Sequence, residues 1–584
     1  MNFQPPSSVS LRENSDPVGF VASVIVGALV SLAITGFVFG VNNNIFHLPV
    51  VLALFDEPQF AQDPFIQSLR YFAAGPWLLL KGLGRYVDSY WLFLGLDYLS
   101  RLITFIGFLA CADLLGVQTR KERALFVGFL CLMTLLQVPS YAGGGGLFTN
   151  FFTHSEMGNG LTLLMLYFMA RGRLIWAAGL NGCVFFVNAF MAVWNIVPLA
   201  AMTAFLLIHR KIGWRNVLVE GSIGFVIFCL ISAPVVWNVL SNPGFGVPLD
   251  FDYTVYLTQY WPFHFLFQTI KLTEKIKMVL VVSLSFLSFA ALGKSARLFL
   301  LAMTGYVAVY SFGIAVPHFT HNASILNLHL LRVSTLFHLL AVLGSLTLAL
   351  QWLTGRDPIL AKVFAPILIL ILCMPKNLSL LAPLVILVSS WTIARRIVPL
   401  WFINNRFRLD YFAAICLMII WPYLIWENVK VNMEESAWQS EWTRLGQWAR
   451  ANTPPDAIFL IPVFDMRQRE LTGKVTSQDQ NASNSHAATF EFAAHRRVWV
   501  DYKRGAAVMW CPSYYKIWWS RVSEGLSLKS FDKKLDYARK NGIDFVVEGC
   551  AAGEQASSLF RTNGLCLISV HGISKTFTKA PSAN

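Results

Sequence analysis

At 584 residues, with 55% hydrophobic and only 13% charged side chains, the chain is too apolar for an ordinary soluble domain and reads as an integral membrane protein. The formal charge of +14, from 46 Lys and Arg against 32 Asp and Glu, would suit nucleic acid. The basic residues instead sit in short clusters between apolar runs, as in cytoplasmic loops, so no nucleic-acid partner is expected.

Residues 1–17 are polar and Pro/Ser-rich and are expected to form a disordered cytoplasmic tail. The apolar run from Val18 to about Gly40 is long enough to span the bilayer and lacks a cleavage site, so it is a retained first helix. The loop 41–98 is too polar to span yet rich in aromatics such as Tyr71, Trp77 and Trp91, which predicts amphipathic helices lying in the interface. Apolar runs then alternate with basic punctuation, giving candidate spans near 99–118, 125–141, 156–170, 174–189, 191–208, 217–240, 277–293, 298–316, 328–352, 360–374, 378–394 and 410–427. With the first helix this makes about thirteen, a count that places the C-terminus outside if the N-terminus is inside. Residues 174–208, interrupted by Asn188 and Asn195, fit either one long helix or two short ones.

The same parity puts 41–98, 139–155, 241–276 and 317–327 outside, so polar groups converge on the outer face. Residues 18–427 thus form a transmembrane module. Residues 428–584, where charged and polar side chains take over, form an extracytoplasmic soluble domain. There, a helix over 442–451, strands at 457–462, 498–502 and 543–547, and a helix over 531–540 argue for a small α/β layer, with 465–490 a loop. Nine cysteines show no CxxC or Cys/His metal spacing. Cys550 and Cys566 are free to pair if the C-terminal part is extracytoplasmic, which leaves Cys511 over.

The stretch Asn42–Arg70 gathers Asp56, Glu57 and Asp63 beside His47 and Asn44 at the outer end of the first helix. A carboxylate held at a membrane surface suits proton abstraction from a sugar hydroxyl. Asp63 precedes Pro64 and equally fits a helix N-cap, while Asp56 and Glu57 fit a solvated turn. His154 and Glu156 sit where the second outer loop re-enters the membrane; with Asp56 they form a candidate set for a divalent cation. Glu156 also fits a first-turn acid on a helix dipole. The run Gly143–Gly146 reads as a flexible connection, because no Lys-Ser/Thr follows it. His329 and Arg332 lie one helical turn apart at the outer end of a span, where a guanidinium suits a lipid phosphate. Arg70 and Arg85 are the alternatives for that task. The aromatic cluster from Trp499 to Trp519 suits either a sugar platform or packing within the domain and onto the membrane module.

The layout of one helix, a large outer loop opening on acids, many spans and an outer C-terminal domain resembles the GT-C superfamily of membrane glycosyltransferases. The matching residues are Phe55-Asp56-Glu57-Pro58 and Gln62-Asp63-Pro64-Phe65. The stretches 47–65, 153–161 and 452–462 are also similar to a group of bacterial polytopic membrane proteins. The resemblance implies transfer of a sugar from a polyprenyl-phosphate-linked donor to a glycan, lipid or protein acceptor outside the bacterial inner membrane. An acid just past the first helix, Asp56 or Asp63 with Glu57 as the lesser candidate, would be the general base. His47, Asn44, His154, Glu156, His329, Arg332 and Arg70 would contact donor or acceptor. The rival readings are a transporter or flippase of lipid-linked or small polar substrates, and a non-catalytic scaffold for envelope polysaccharide synthesis.

Overall fold

The computed structural model describes residues 16–354, 359–374, 377–395, 406–465, 467, 487–550 and 558–571. In chain order its helices are α1 (Pro17–Thr35), α2 (Asn44–Leu52), α3 (Pro64–Ser68), α4 (Gly75–Leu80), α5 (Ser89–Leu114), α6 (Arg120–Leu132), α7 (His154–Ala170), α8 (Leu174–Val187), α9 (Ala189–Trp194), α10 (Ile196–Ile208) and α11 (Trp214–Leu240). They continue as α12 (Tyr253–Tyr260), α13 (Leu272–Leu292), α14 (Arg297–Ala315), α15 (Ala323–Leu326), α16 (Ser334–Thr354), α17 (Ile359–Cys373), α18 (Ala382–Arg395), α19 (Arg406–Asn452), α20 (Ala487–Ala494), α21 (Tyr514–Ser527) and α22 (Phe531–Lys540). Five strands complete the chain: β1 (Ile458–Leu460), β2 (Arg497–Val498), β3 (Phe545–Gly549), β4 (Ser558–Arg561) and β5 (Leu565–Ser569).

Local chemistry sets the helix ends. Asp16 accepts from the Gly19 amide at 2.8 Å with Pro17 in the first turn, and the helix stops at Gly36, whose φ of 71° suits a residue without a Cβ. Asp88 caps α5, so that helix starts ten residues before the expected 99 and takes Tyr90, Trp91 and Asp97 out of the loop. Thr119 and Glu122 form a capping box on α6. The 174–208 stretch is broken at Asn188, into α8 and then the short α9 before α10.

Seven segments among the described residues are long and apolar enough to cross a membrane; three of them are composite, Ala189–Ile208 from α9 and α10, Leu272–His318 from α13 and α14 joined at Gly293, and Ala323–Thr354 from α15 and α16. This is fewer than the expected thirteen. Helices such as α8 and α17 are apolar but shorter than the roughly 20 residues a straight crossing requires. Most of α16 is buried inside the bundle, whereas α11 and the apolar part of α19 are the most exposed of the seven. Around them α5 packs on α1 and α7, α8 on α7 and α11, and α13 on α16.

The outer loop does not lie open in an interface. Every residue of α2 is buried, because α20 and the segment after Asp501 fold down over it. The expected boundary at 427 is crossed by one continuous 47-residue helix, α19, whose last turns pack on the sheet. That sheet runs β2-β1-β3-β5-β4, with β1 parallel to β2 and β3, and β5 antiparallel to β3 and β4. The three expected strands are present but short; β4, β5, α20 and α21 were not foreseen. Residues 466 and 468–486 of the expected 465–490 loop, and residues 1–15 of the expected N-terminal tail, lie outside the described residues. Cys550 and Cys566 form a disulfide.

Candidate functional site

A cavity of about 1410 Å³ lies where the C-terminal end of α11, the N-terminal end of α13, the loop 41–98 and the C-terminal domain meet. Among the described residues its wall carries three cationic side chains, Lys271, Arg332 and Lys503, against one carboxylate, Glu274. Glu274 is already bonded to Lys277 at 2.7 Å. Arg332 and Lys503 form no ion pair among the described residues; the Lys503 ammonium faces the Trp261 ring at 5.5 Å. Burial, reinforced by the nearby Arg332 and opposed by Asp501, pushes the Lys503 ammonium down to about 8. Two buried cations this close are costly, and Asp501 offsets only part of that cost, so an anion in the cavity would be stabilised between them.

Five histidines share this wall: His47, His154, His264, His321 and His329. His47 stacks on Trp77 with ring centres 3.9 Å apart and meets His154 edge-on at 5.4 Å. Both His47 ring nitrogens are buried without a partner. Burial, then His154 and Lys503, holds this imidazole well below its ordinary value, so it is neutral. The His154 Nδ1 accepts from the Trp77 indole at 3.2 Å, which leaves its proton on Nε2 as a donor. His329 has left-handed backbone (φ 51°) and packs between Phe190 and Phe265, with Nδ1 2.7 Å from the Asn327 carbonyl. It precedes a 3-10 turn over Leu330–Val333 that carries Arg332, and α16 itself begins only at Ser334, so the pair is not spaced along a regular span as expected.

The expected acids are elsewhere. Asp56 pairs with Arg70 at 2.9 Å, both more than a third exposed, and neither lines the cavity. Arg70 is further occupied by the Phe55 carbonyl at 2.5 Å, which removes it as a phosphate ligand here. Glu57 meets His495 at 3.2 Å in a separate cavity of about 610 Å³ between the outer loop and α19. Asp63 caps α3, accepting from the Phe65 and Ile66 amides at 3.0 Å each, and lies 3.9 Å from buried Arg504. The helix-cap alternative therefore describes Asp63. Asn44 is also internal: it accepts from Gly40 at 3.0 Å and donates to the Phe152 carbonyl at 3.3 Å.

Glu156 is buried against Arg101 at 3.0 Å, and Arg101 also reaches the Thr149 carbonyl at 2.5 Å. Asp56, His154 and Glu156 thus have three different partners, and no group of three metal-ligating side chains occurs among the described residues. The residues do not fit the divalent cation considered for them. Of the expected site residues, the cavity brings together His47, His154, His329 and Arg332. Sequence reasoning missed Lys503, which looks like strand-end solvation in the run Lys503-Arg504. Its only signal was a basic pair inside an aromatic cluster. From that cluster Trp510 joins the cavity wall, whereas Trp518 is core, donating to the Asp501 and Tyr502 carbonyls.

Compared with known proteins, the chain matches no family model and no curated protein.

Proposed function

We propose that the chain is a membrane glycosyltransferase that takes a sugar from a polyprenyl-phosphate-linked donor and passes it to a hydroxyl of a glycan, lipid or protein acceptor. The observation that carries this reading is the pair Arg332 and Lys503, neither in an ion pair among the described residues, on the wall of a large cavity that also presents aromatic rings, aliphatic side chains and neutral polar groups. Such a wall suits an anionic head on an apolar tail. Val236 and Leu240 of α11 line the cavity and are also exposed on that helix, which supports a lateral entrance for the lipid. The aromatic rings Trp261 and Trp510 offer faces for a sugar. The resemblance of the sequence layout to the GT-C superfamily also supports this reading.

In this reading the shorter apolar helices also cross, giving about thirteen passes and a C-terminal domain outside the bacterial inner membrane. The Cys550–Cys566 disulfide supports an oxidising compartment for that domain. The phosphate sits against Arg332 and Lys503, with the His154 Nε2–H as a neutral donor. As the anomeric C–O bond breaks, these groups stabilise the leaving phosphate.

The test is transfer by purified protein in lipid nanodiscs, with radiolabelled polyprenyl-phosphate sugars and a membrane extract as acceptor. Label moving from donor to acceptor, and lost with Arg332→Gln, is the expected result. One observation favours a second reading, movement of such a lipid without chemistry: among the described residues Glu274 is the one carboxylate on the cavity wall, and it is paired. No transfer with any donor, together with movement of the lipid across proteoliposomes, would establish that alternative.

A further inference from the structure

Transfer to a hydroxyl needs a proton acceptor, and the acids just past α1 are not on the cavity wall. The outer loop 241–271 supplies another group. His264 follows Trp261-Pro262-Phe263, and its ring is held on three sides. It stacks parallel to Trp261 with an interplanar angle of 10°, meets Phe263 at 4.9 Å, and places Nδ1 2.7 Å from the Gly143 carbonyl. A carbonyl only accepts, so Nδ1 carries the proton and Nε2 keeps its lone pair. That nitrogen has no hydrogen bond among the described residues and is not sealed from the cavity, unlike both nitrogens of His47. The neighbouring Gly144 has φ +65°, and a Cβ there would stand 2.7 Å from the His264 ring. The glycine run therefore seats an imidazole instead of merely joining two segments.

We propose that His264 is the proton acceptor of the transfer reaction, an inference that rests on the glycosyltransferase reading above. The acceptor hydroxyl gives its proton to His264 Nε2 as its oxygen bonds to the anomeric carbon. The bond from that carbon to the phosphate oxygen breaks, and the phosphate leaves as an anion against Arg332 and Lys503. The imidazolium then returns its proton to water. Burial keeps the resting ring neutral; Arg332, His329 and Lys503, the titrating groups that act on it, push in the same direction, and the Gly143 carbonyl opposes them.

The experiment is the pH dependence of transfer by full-length protein in nanodiscs, for wild type and His264→Gln, with donor-lipid binding measured in parallel. His264→Gln should lower the transfer rate by about 100-fold or more while donor binding stays within about 2-fold. The wild-type rate should fall at acid pH, as protonation removes the acceptor lone pair, and His264→Gln should lack that limb. Transfer by His264→Gln within a few-fold of wild type would overturn the proposal and leave the glycosyltransferase reading standing. If His264→Gln fails to fold, His264→Asn decides by the same readout: transfer within a few-fold of wild type with donor binding intact contradicts an imidazole base. Wild-type protein that binds the donor but transfers nothing would overturn both.

Discussion

Arg504 offers a sharp prediction, because it fastens the C-terminal domain to the outer loop. Its guanidinium is 1% exposed and bonds Glu491, also 1% exposed; it donates to the Val498 carbonyl at 3.0 Å, lies 3.9 Å from Asp63, and covers the Phe65 ring at 4.6 Å. Arg504→Leu leaves two carboxylates facing each other without a counter-ion. Breaking a buried pair in this way costs about 3–5 kcal/mol. By contrast Arg70→Leu breaks a pair in which both side chains are more than a third exposed, worth about 0–1 kcal/mol after solvent screening. Thermal unfolding of the purified protein in detergent should show Arg504→Leu lowered by on the order of 10 °C and Arg70→Leu hardly changed. The double variant Arg504→Leu/Glu491→Leu, which removes the orphaned charge, should recover much of the loss. Equal midpoints for Arg504→Leu and wild type would refute the reasoning.

The same cluster predicts a pH effect. Burial, opposed by Arg504 and reinforced by Asp63, pushes the Glu491 carboxyl from 4.5 up to about 7. A raised folded-state value means the folded protein holds the proton more tightly, so this contribution is present at acid pH and is lost as pH rises through about 7. Glu491→Gln should flatten the midpoint over that window, measured by unfolding across pH. Asp56→Asn should leave donor binding and transfer within about 2-fold of wild type, since an exposed pair outside the cavity contributes little. Asp63→Asn keeps a cap acceptor and should behave alike, whereas Asp63→Ala should cost about 1 kcal/mol of stability without a specific loss of transfer. Donor affinity should weaken as pH rises through about 8, where Lys503 loses its proton, and Lys503→Arg should hold affinity to higher pH. Lipid-binding titrations across pH check this.

Hydropathy and charge punctuation located most of the apolar helices, because the run from Val18 and those near 217–240 and 298–316 each hold their apolar character over a whole crossing. The start of α5 was misjudged because Tyr90, Trp91 and Asp97 look like interface residues, whereas the Asp88 cap and packing on α7 carry the helix through them. The sheet strands β4 and β5 are short and mixed in composition; their identity comes from pairing with β3, which is a tertiary fact. Arg332 was legible because a lone cation at the outer end of a span needs an explanation. Asp56 and Asp63 misled for the opposite reason. Clustering along the chain says nothing of where carboxylates point, and here a helix cap and two arginines claim them. Lys503 and His264 come from segments far apart in sequence, and their meeting on one wall could be seen only once the chain was folded.

The account stands most directly on one binding measurement: a short-chain polyprenyl phosphate titrated into wild type, Arg332→Gln and Asp56→Asn in nanodiscs. Removing one charge-assisted phosphate contact, worth about 1.5–3 kcal/mol, should weaken binding by roughly 10-fold to 100-fold in Arg332→Gln and leave Asp56→Asn at wild-type affinity. Unchanged binding in Arg332→Gln, or a loss confined to Asp56→Asn, would contradict the placement of the site in this cavity.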